Sequence, residues 1–172
     1  MSTSRVDAIG EKLPENFHVS LIVQQSPSQN PWSDFRWEVV GMVAGAAEAL
    51  PADPAVELIQ ERDGIRLYLH RGFTLRLHAD ECESYYHNLM SPAPCAYVVA
   101  TEQEGGAPRP RLVSLSFDEA HAYLEGDEAL YTVAVPPEIY QWIEAFVLAH
   151  YVPEKRTKRR LRDWRAPEGG EA

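Results

Sequence analysis

A chain of 172 residues, 45% hydrophobic and 24% charged, has the length of one domain and the composition of an ordinary globular protein. Its apolar-rich stretches run about 8–10 residues, short of the ~20 that a membrane-spanning helix needs. The start of the chain carries Arg5, Asp7, Glu11 and Lys12 without an apolar run, which does not read as a signal peptide. The formal charge of −10 is uneven: from Pro153 onward seven Lys and Arg stand against four Asp and Glu, a net of +3, which leaves −13 on the rest. An acidic body disfavours general binding to nucleic acid, because phosphate contacts need a concentrated positive face.

A cytoplasmic protein is expected. Cys82 and Cys95 are too few for a secreted disulfide framework and read as reduced, buried thiols.

Residues 1–14 are polar and aperiodic and read as a flexible arm, 15–152 as one domain, and 153–172 as a basic tail. Phe17, Val19, Leu21 and Val23 alternate with His18, Ser20, Ile22 and Gln24, the period of a strand. The turn-rich stretch Ser26 to Pro31 leads through Trp32-Ser33-Asp34-Phe35-Arg36-Trp37 into a second strand, Arg36 to Val43, and a loop rich in Ala and Pro follows over Gly45 to Pro54. Val56 to Arg62, a tight turn at Asp63-Gly64, and Ile65 to Leu69 spell a hairpin. In its second strand Ile65, Leu67 and Leu69 are expected on the inner face, with Arg66, Tyr68 and His70 outside. Another turn is expected near Arg71-Gly72, then a strand with Phe73, Leu75 and Leu77 inward, which completes an antiparallel meander with one wet face.

Asp80-Glu81-Cys82-Glu83 has the pattern of a capping box and opens a helix with Cys82, Tyr85, Tyr86 and Leu89 as its stripe. Strands follow at Cys95 to Thr101 and Arg109 to Ser116. Ser116-Phe117-Asp118-Glu119 repeats the capping box for a helix that ends near Gly126, and Leu130 to Val135 is a last strand. Pro137 then starts a helix in which Ile139, Trp142, Ile143, Phe146, Val147 and His150 form one amphipathic stripe ending near Val152-Pro153. No βαβ alternation appears. The fold class is α+β: an antiparallel sheet or partly closed barrel with a meander core, covered by two or three helices that include the amphipathic C-terminal one.

Several of these segments resemble a proteobacterial family catalogued as a domain of unknown function. They are Pro31 to Trp37, Leu77 to Leu89, Ser91-Pro92, Tyr97-Val98-Val99, and Trp142 to Val152 with the basic run after it, and together they span most of residues 17–160. Genes of that family often lie beside those of molybdenum-dependent formate dehydrogenases and their maturation factors. The resemblance therefore implies a process rather than a mechanism, and it brings no catalytic residues with it.

Four constellations carry residue types suited to chemistry or binding. His78, Cys82, His87 and Cys95 are zinc-type ligands. Cys82 and His87, however, lie five apart on a helix, about 140° around it, and no C-x-x-C occurs, so a metal site is rejected and no cofactor is expected. The stretch from His78 through the carboxylates and tyrosines to Asn88 could line a small-molecule pocket, with His78, Tyr86 and Asn88 as the candidates, although capping and core packing account for the same residues. Trp32, Asp34, Arg36 and Trp37 have the composition of an interface anchor; the competing reading has both Trp plugging an open barrel end. In the tail, Lys155, Arg156, Lys158, Arg159 and Arg160 suit an acidic protein partner, against a solvated terminus as the plainer reading. No phosphate loop or nucleophile elbow appears. The leading expectation is a non-enzymatic accessory protein with a protein partner, which the resemblance would place in the assembly or regulation of a molybdenum-dependent oxidoreductase such as formate dehydrogenase; the alternative is a small enzyme or ligand-binding domain near His78 to Asn88.

Overall fold

The computed structural model describes residues 13–45, 55–103 and 105–151. Nearly all of the loop expected over Gly45 to Pro54, nearly all of the N-terminal arm and the whole basic tail therefore lie outside the described residues. Strands β1 (Asn16–Pro27), β2 (Phe35–Ala44), β3 (Val56–Arg62) and β4 (Ile65–Arg76) form one sheet in the order β2-β1-β4-β3. A single 3-10 turn (Ala79–Glu81) and helix α1 (Cys82–Met90) follow. Strands β5 (Cys95–Glu102), β6 (Pro108–Ser114) and β7 (Glu128–Ala134) make a second sheet in the order β6-β5-β7, with α2 (Phe117–Ala122) between β6 and β7 and α3 (Pro137–His150) last.

Every strand pairing is antiparallel. The class is α+β as expected, but the sheet does not curl into a barrel: there are two open sheets, with β2 beside β7 and β4 beside β6. The core lies between them. Val19, Leu21, Val23, Val39, Met42 and Leu75 come from the first sheet, Ala96, Val98, Val113 and Val133 from the second. Tyr85 and Leu89 of α1 and Ile139, Trp142, Ile143 and Val147 of α3 complete it. The apolar stripe of α3 is buried as its spacing requires, except that Phe146 is half-buried and His150 exposed.

The β3–β4 hairpin turns at Asp63-Gly64, both with positive φ (53° and 79°), the backbone of a type I′ turn whose twist matches the flanking strands. The turn expected near Arg71-Gly72 does not form. β4 runs through it as one strand of 12 residues, and Arg71 and Gly72 together oppose Ser20 of β1, because Val19 pairs with Phe73 and Leu21 with His70. Gly72 takes φ +93° there, a conformation that only glycine adopts cheaply.

This bulge reverses the alternation of β4. Phe73 and Leu75 face the core, as expected, but on the other side of the bulge Tyr68 and His70 face it. Their cross-strand partners are the core residues Val23 and Leu21. Leu67 and Leu69, expected inward, share the opposite face with Gln24 and Ile22.

Other local expectations also differ from the structure. Asp80 does not cap α1: it sits in the 3-10 turn, and neither that turn nor α1 has a side-chain cap. The second capping box forms by half. Ser116 Oγ accepts from the Glu119 N–H (3.1 Å), while the Glu119 carboxylate accepts from Ser114 Oγ (2.9 Å) rather than returning to the Ser116 backbone. α2 ends at Ala122, four residues before Gly126. At the other end of the chain, Pro14, expected in the loose arm, is tied down, its carbonyl accepting from Trp142 Nε1 (2.7 Å).

Candidate interaction site

His78, Tyr86 and Asn88 do not converge. The backbone N–H of His78 donates to Tyr85 Oη (3.0 Å), and its ring stands 4.0 Å from the Glu119 carboxylate. It lines an open cavity of about 610 Å³ with Phe146 and His150. Tyr86 stacks on Tyr151 at the end of α3, with ring centroids 5.0 Å apart and planes 13° apart.

Asn88 is a buried clamp. Its Nδ2 donates to the carbonyls of Cys95 (2.7 Å) and Leu115 (3.0 Å), and its Oδ1 accepts from the Cys95 N–H (3.1 Å). One side chain thus joins α1, the start of β5 and the β6–α2 junction, and its amide has little capacity left for a ligand.

A second cleft of about 590 Å³ lies between α1 and α2, lined by Asp80, Glu81, Glu83, Asp118 and His87. At its edge Ser116 Oγ donates to Glu81 Oε2 (2.6 Å) and lies 3.0 Å from Ser84 Oγ. Among the described residues no group of three or more His, Cys, Asp or Glu could hold a metal ion. Cys82 is buried, Cys95 is half-buried and both are free. Burial pushes the Cys82 thiol up, the opposite of an activated nucleophile. Tyr97, beside Cys95, is pushed up to about 12, chiefly by burial and then by its hydrogen bond to Cys95.

The aromatic segment is different. Between β1 and β2 the chain makes a loop closed by its own hydrogen bonds. Ser28 N–H donates to the Asp34 carbonyl (3.0 Å), Ser33 N–H to the Asn30 carbonyl (3.2 Å), and Trp32 N–H to Asn30 Oδ1 (3.1 Å). Asn30 N–H donates to Ser28 Oγ (3.0 Å) and Ser33 Oγ to the Phe35 carbonyl (2.8 Å). These are the local bonds by which Asn and Ser stabilise turns.

At the tip Trp32 is 91% exposed, and Phe35 at the base is 42% exposed. Trp32 therefore plugs nothing. The pleat separates the remaining candidates. Arg36 pairs with Glu38 on the outer face of the sheet, Trp37 turns to the inner face opposite Gln25 and is half-buried, and Asp34 is exposed. An ordered loop carrying an exposed Trp is preorganised for an interface, since the ordering cost of the loop is met before binding. The basic candidates Lys155 to Arg160 lie outside the described residues.

Sequence reading missed the clamp role of Asn88 and the inward Tyr68 and His70. The glycine inside the β4 pattern was the available signal for the latter.

No helix among the described residues is long and apolar enough to cross a membrane. Neither the curated proteins nor the solved structures contain a match to the chain. A family model described as a protein of unknown function, DUF3305, matches residues 18–160, a span that runs from β1 past α3 and takes in the aromatic loop. The chain belongs to the DUF3305 family.

Proposed function

We propose that the chain is a non-enzymatic accessory protein that engages a protein partner through the β1–β2 loop, with Trp32 as the anchor. The observation that carries this reading is the 91% exposure of Trp32 on a loop held by five internal hydrogen bonds. Trp leads the residues that dominate binding energy at interfaces. Lys155, Arg156, Lys158, Arg159 and Arg160 supply a second, electrostatic contact, so the complex weakens as salt rises. The resemblance noted from the sequence supports a partner in the assembly or regulation of a molybdenum-dependent oxidoreductase such as formate dehydrogenase.

The test is co-purification of a tagged full-length chain with the formate dehydrogenase subunits of its own cell, beside Trp32→Ala and a chain lacking residues 154–172. Trp32→Ala is expected to weaken the complex about 30-fold, the loss of a residue worth about 2 kcal/mol. Its melting temperature should stay unchanged, because the side chain touches solvent. Equal binding by Trp32→Ala would remove the anchor, and absence of any molybdoenzyme subunit would remove the named partner. The other reading, a small enzyme or ligand-binding domain near His78 to Asn88, has less support, since His78 and Asn88 line different cavities, Tyr86 stacks on Tyr151 and Asn88 is engaged in backbone bonds.

A further inference from the structure

Along its β3 edge the first sheet runs past the second. β2 lies beside β7 and β4 beside β6, while β3 lies beyond β4 with all seven of its residues exposed. An open cavity of about 520 Å³ follows this seam, within the range of small-molecule sites.

The strand register decides which side chains enter it. Trp37 pairs with Gln25, Tyr68 with Val23, His70 with Leu21 and Val56 with His70, so these four lining residues project from the inner face of the first sheet. The buried Pro108 faces them from β6. Arg109 at the rim alternates with the buried Pro108 and Pro110 and pairs with Thr101, so its side chain stands on the outer face of the second sheet. Glu102, opposite Pro108, is exposed and does not line the cavity. The Trp37 and Tyr68 rings lie 6.0 Å apart at 37° and give the cavity an aromatic floor.

Two polar groups on this inner face lack a partner. Trp37 Nε1 is buried, and its edge of the ring lies against Gly106, where an added Cβ would stand 3.9 Å away, so it is closed to a ligand. The His70 ring is open. It lines the cavity and is half-buried, it makes no hydrogen bond or ion pair among the described residues, and neither of its nitrogens is sealed from solvent. Its cross-strand neighbours Leu21 and Val56 are aliphatic, and the nearby Tyr68 hydroxyl is directed to Gln25 Oε1 instead (3.4 Å). Burial lowers the basicity of His70, so at neutral pH its ring is uncharged and offers one nitrogen as donor and the other as acceptor.

We propose that this cavity binds a small uncharged phenol, its ring against Trp37 and Tyr68 and its hydroxyl hydrogen-bonded to a ring nitrogen of His70. Aromatic rings favour tilted and offset contacts with one another. A hydroxyl both donates and accepts, so it meets His70 in either neutral tautomer. An ionised ligand would lose hydration here without gaining a charged partner, because no charged side chain of the described lining points inward. Trp32 does not line the cavity, so the site is independent of the partner-binding loop.

The probe is 2-naphthol, titrated into the full-length chain at neutral pH and followed by saturation-transfer NMR. 2-Fluoronaphthalene is the control without a hydroxyl and 2-naphthoate the charged control. Naphthol should bind saturably at one site, fluoronaphthalene about fivefold more weakly for want of the hydrogen bond, and naphthoate at least about tenfold more weakly. His70→Phe, which keeps an aromatic ring of similar size, should bring naphthol and fluoronaphthalene to the same affinity. Val56→Trp, placed at the mouth where Val56 is 47% exposed, should fill the cavity and block all three. No saturable binding of naphthol by the wild type overturns the proposal. So does equal affinity for naphthol and either control, and these comparisons need no variant. A preference for naphthol that survives His70→Phe, or binding that survives Val56→Trp, overturns it as well, because the ligand then sits elsewhere than on His70 in this cavity.

Discussion

Replacing Asn88 with Ala should unfold more than a small polar deletion ordinarily does. The side chain is 6% exposed and makes three hydrogen bonds, two to carbonyls and one from a backbone N–H, at 2.7, 3.0 and 3.1 Å. Truncation removes all three and leaves groups on Cys95 and on the buried Leu115 without this partner. A net value of about 1 kcal/mol per bond gives about 3 kcal/mol, and more if the stranded groups stay dry. At about 2–4 °C per kcal/mol for a chain of this size, the melting temperature should fall by about 6–12 °C.

Urea denaturation followed by far-ultraviolet circular dichroism measures the loss directly, with the slope m expected to match wild type. Asn88→Asp sharpens the test. It preserves shape and the acceptor for the Cys95 N–H, but sets a carboxylate oxygen against two carbonyls, so it should be at least as destabilising as Ala. A loss within about 0.5 kcal/mol for Asn88→Ala, the range of ordinary surface changes, would refute the clamp and restore Asn88 as a free side chain available to a ligand.

Gly72→Ala should cost about 1–2 kcal/mol in the same denaturation assay, the price of a left-handed conformation in a residue with a side chain. Beyond its chain neighbours an added Cβ meets no heavy atom within 4 Å, so crowding against the rest of the fold adds nothing to that local cost, and an unchanged midpoint would contradict the bulge. Ser116→Ala removes the bond from the Glu119 N–H and the bond to Glu81, and should lose about 1–2 kcal/mol, the upper part of the range for helix caps. An intact midpoint would show that α2 holds without its cap. His70 sets a pH dependence. Its folded pKa is depressed by burial, so below the unfolded value of about 6.5 the unfolded chain takes up a proton that the folded chain resists. The stability it contributes is complete above that value and is lost as pH falls toward the folded one. His70→Gln should therefore lose less melting temperature than wild type between about pH 7.5 and about pH 5.5, and equal losses would count against the assignment.

Most of the elements were legible because they follow local rules. The hairpin at Asp63-Gly64, the stripe of α3 and the cap at Ser116 each need only neighbouring residues to specify them, and each stands where its pattern put it. The parity of β4 was not legible from alternation alone. Ile65-Arg66-Leu67-Tyr68-Leu69-His70 is amphipathic in either phase once Tyr and His are allowed inward, and the decision rests on β1, 40 to 50 residues away, through pairing with Leu21 and Val23. The same long range hid Asn88, whose partners on Cys95 and Leu115 are backbone atoms and leave no trace in side-chain pattern. The aromatic loop was readable as a segment, but only the fold divides it. The pleat sends Arg36 and Trp37 to opposite faces, and the turn lifts Trp32 clear of both.

The bulge at Arg71-Gly72 also constrains how this strand can change length. β4 is in effect two half-strands of opposite phase joined at one glycine, since Tyr68 and His70 point inward before it and Phe73 and Leu75 after it. Deleting Arg71 or Gly72 would remove the bulge and leave one regular strand with Tyr68, His70, Phe73 and Leu75 all on the inner face, whereas deleting one residue elsewhere in β4 would turn one half inside out. Single-residue deletions in members of this family that keep the core should therefore fall at this bulge or at the Asp63-Gly64 turn, while changes of length elsewhere in β4 should come in twos.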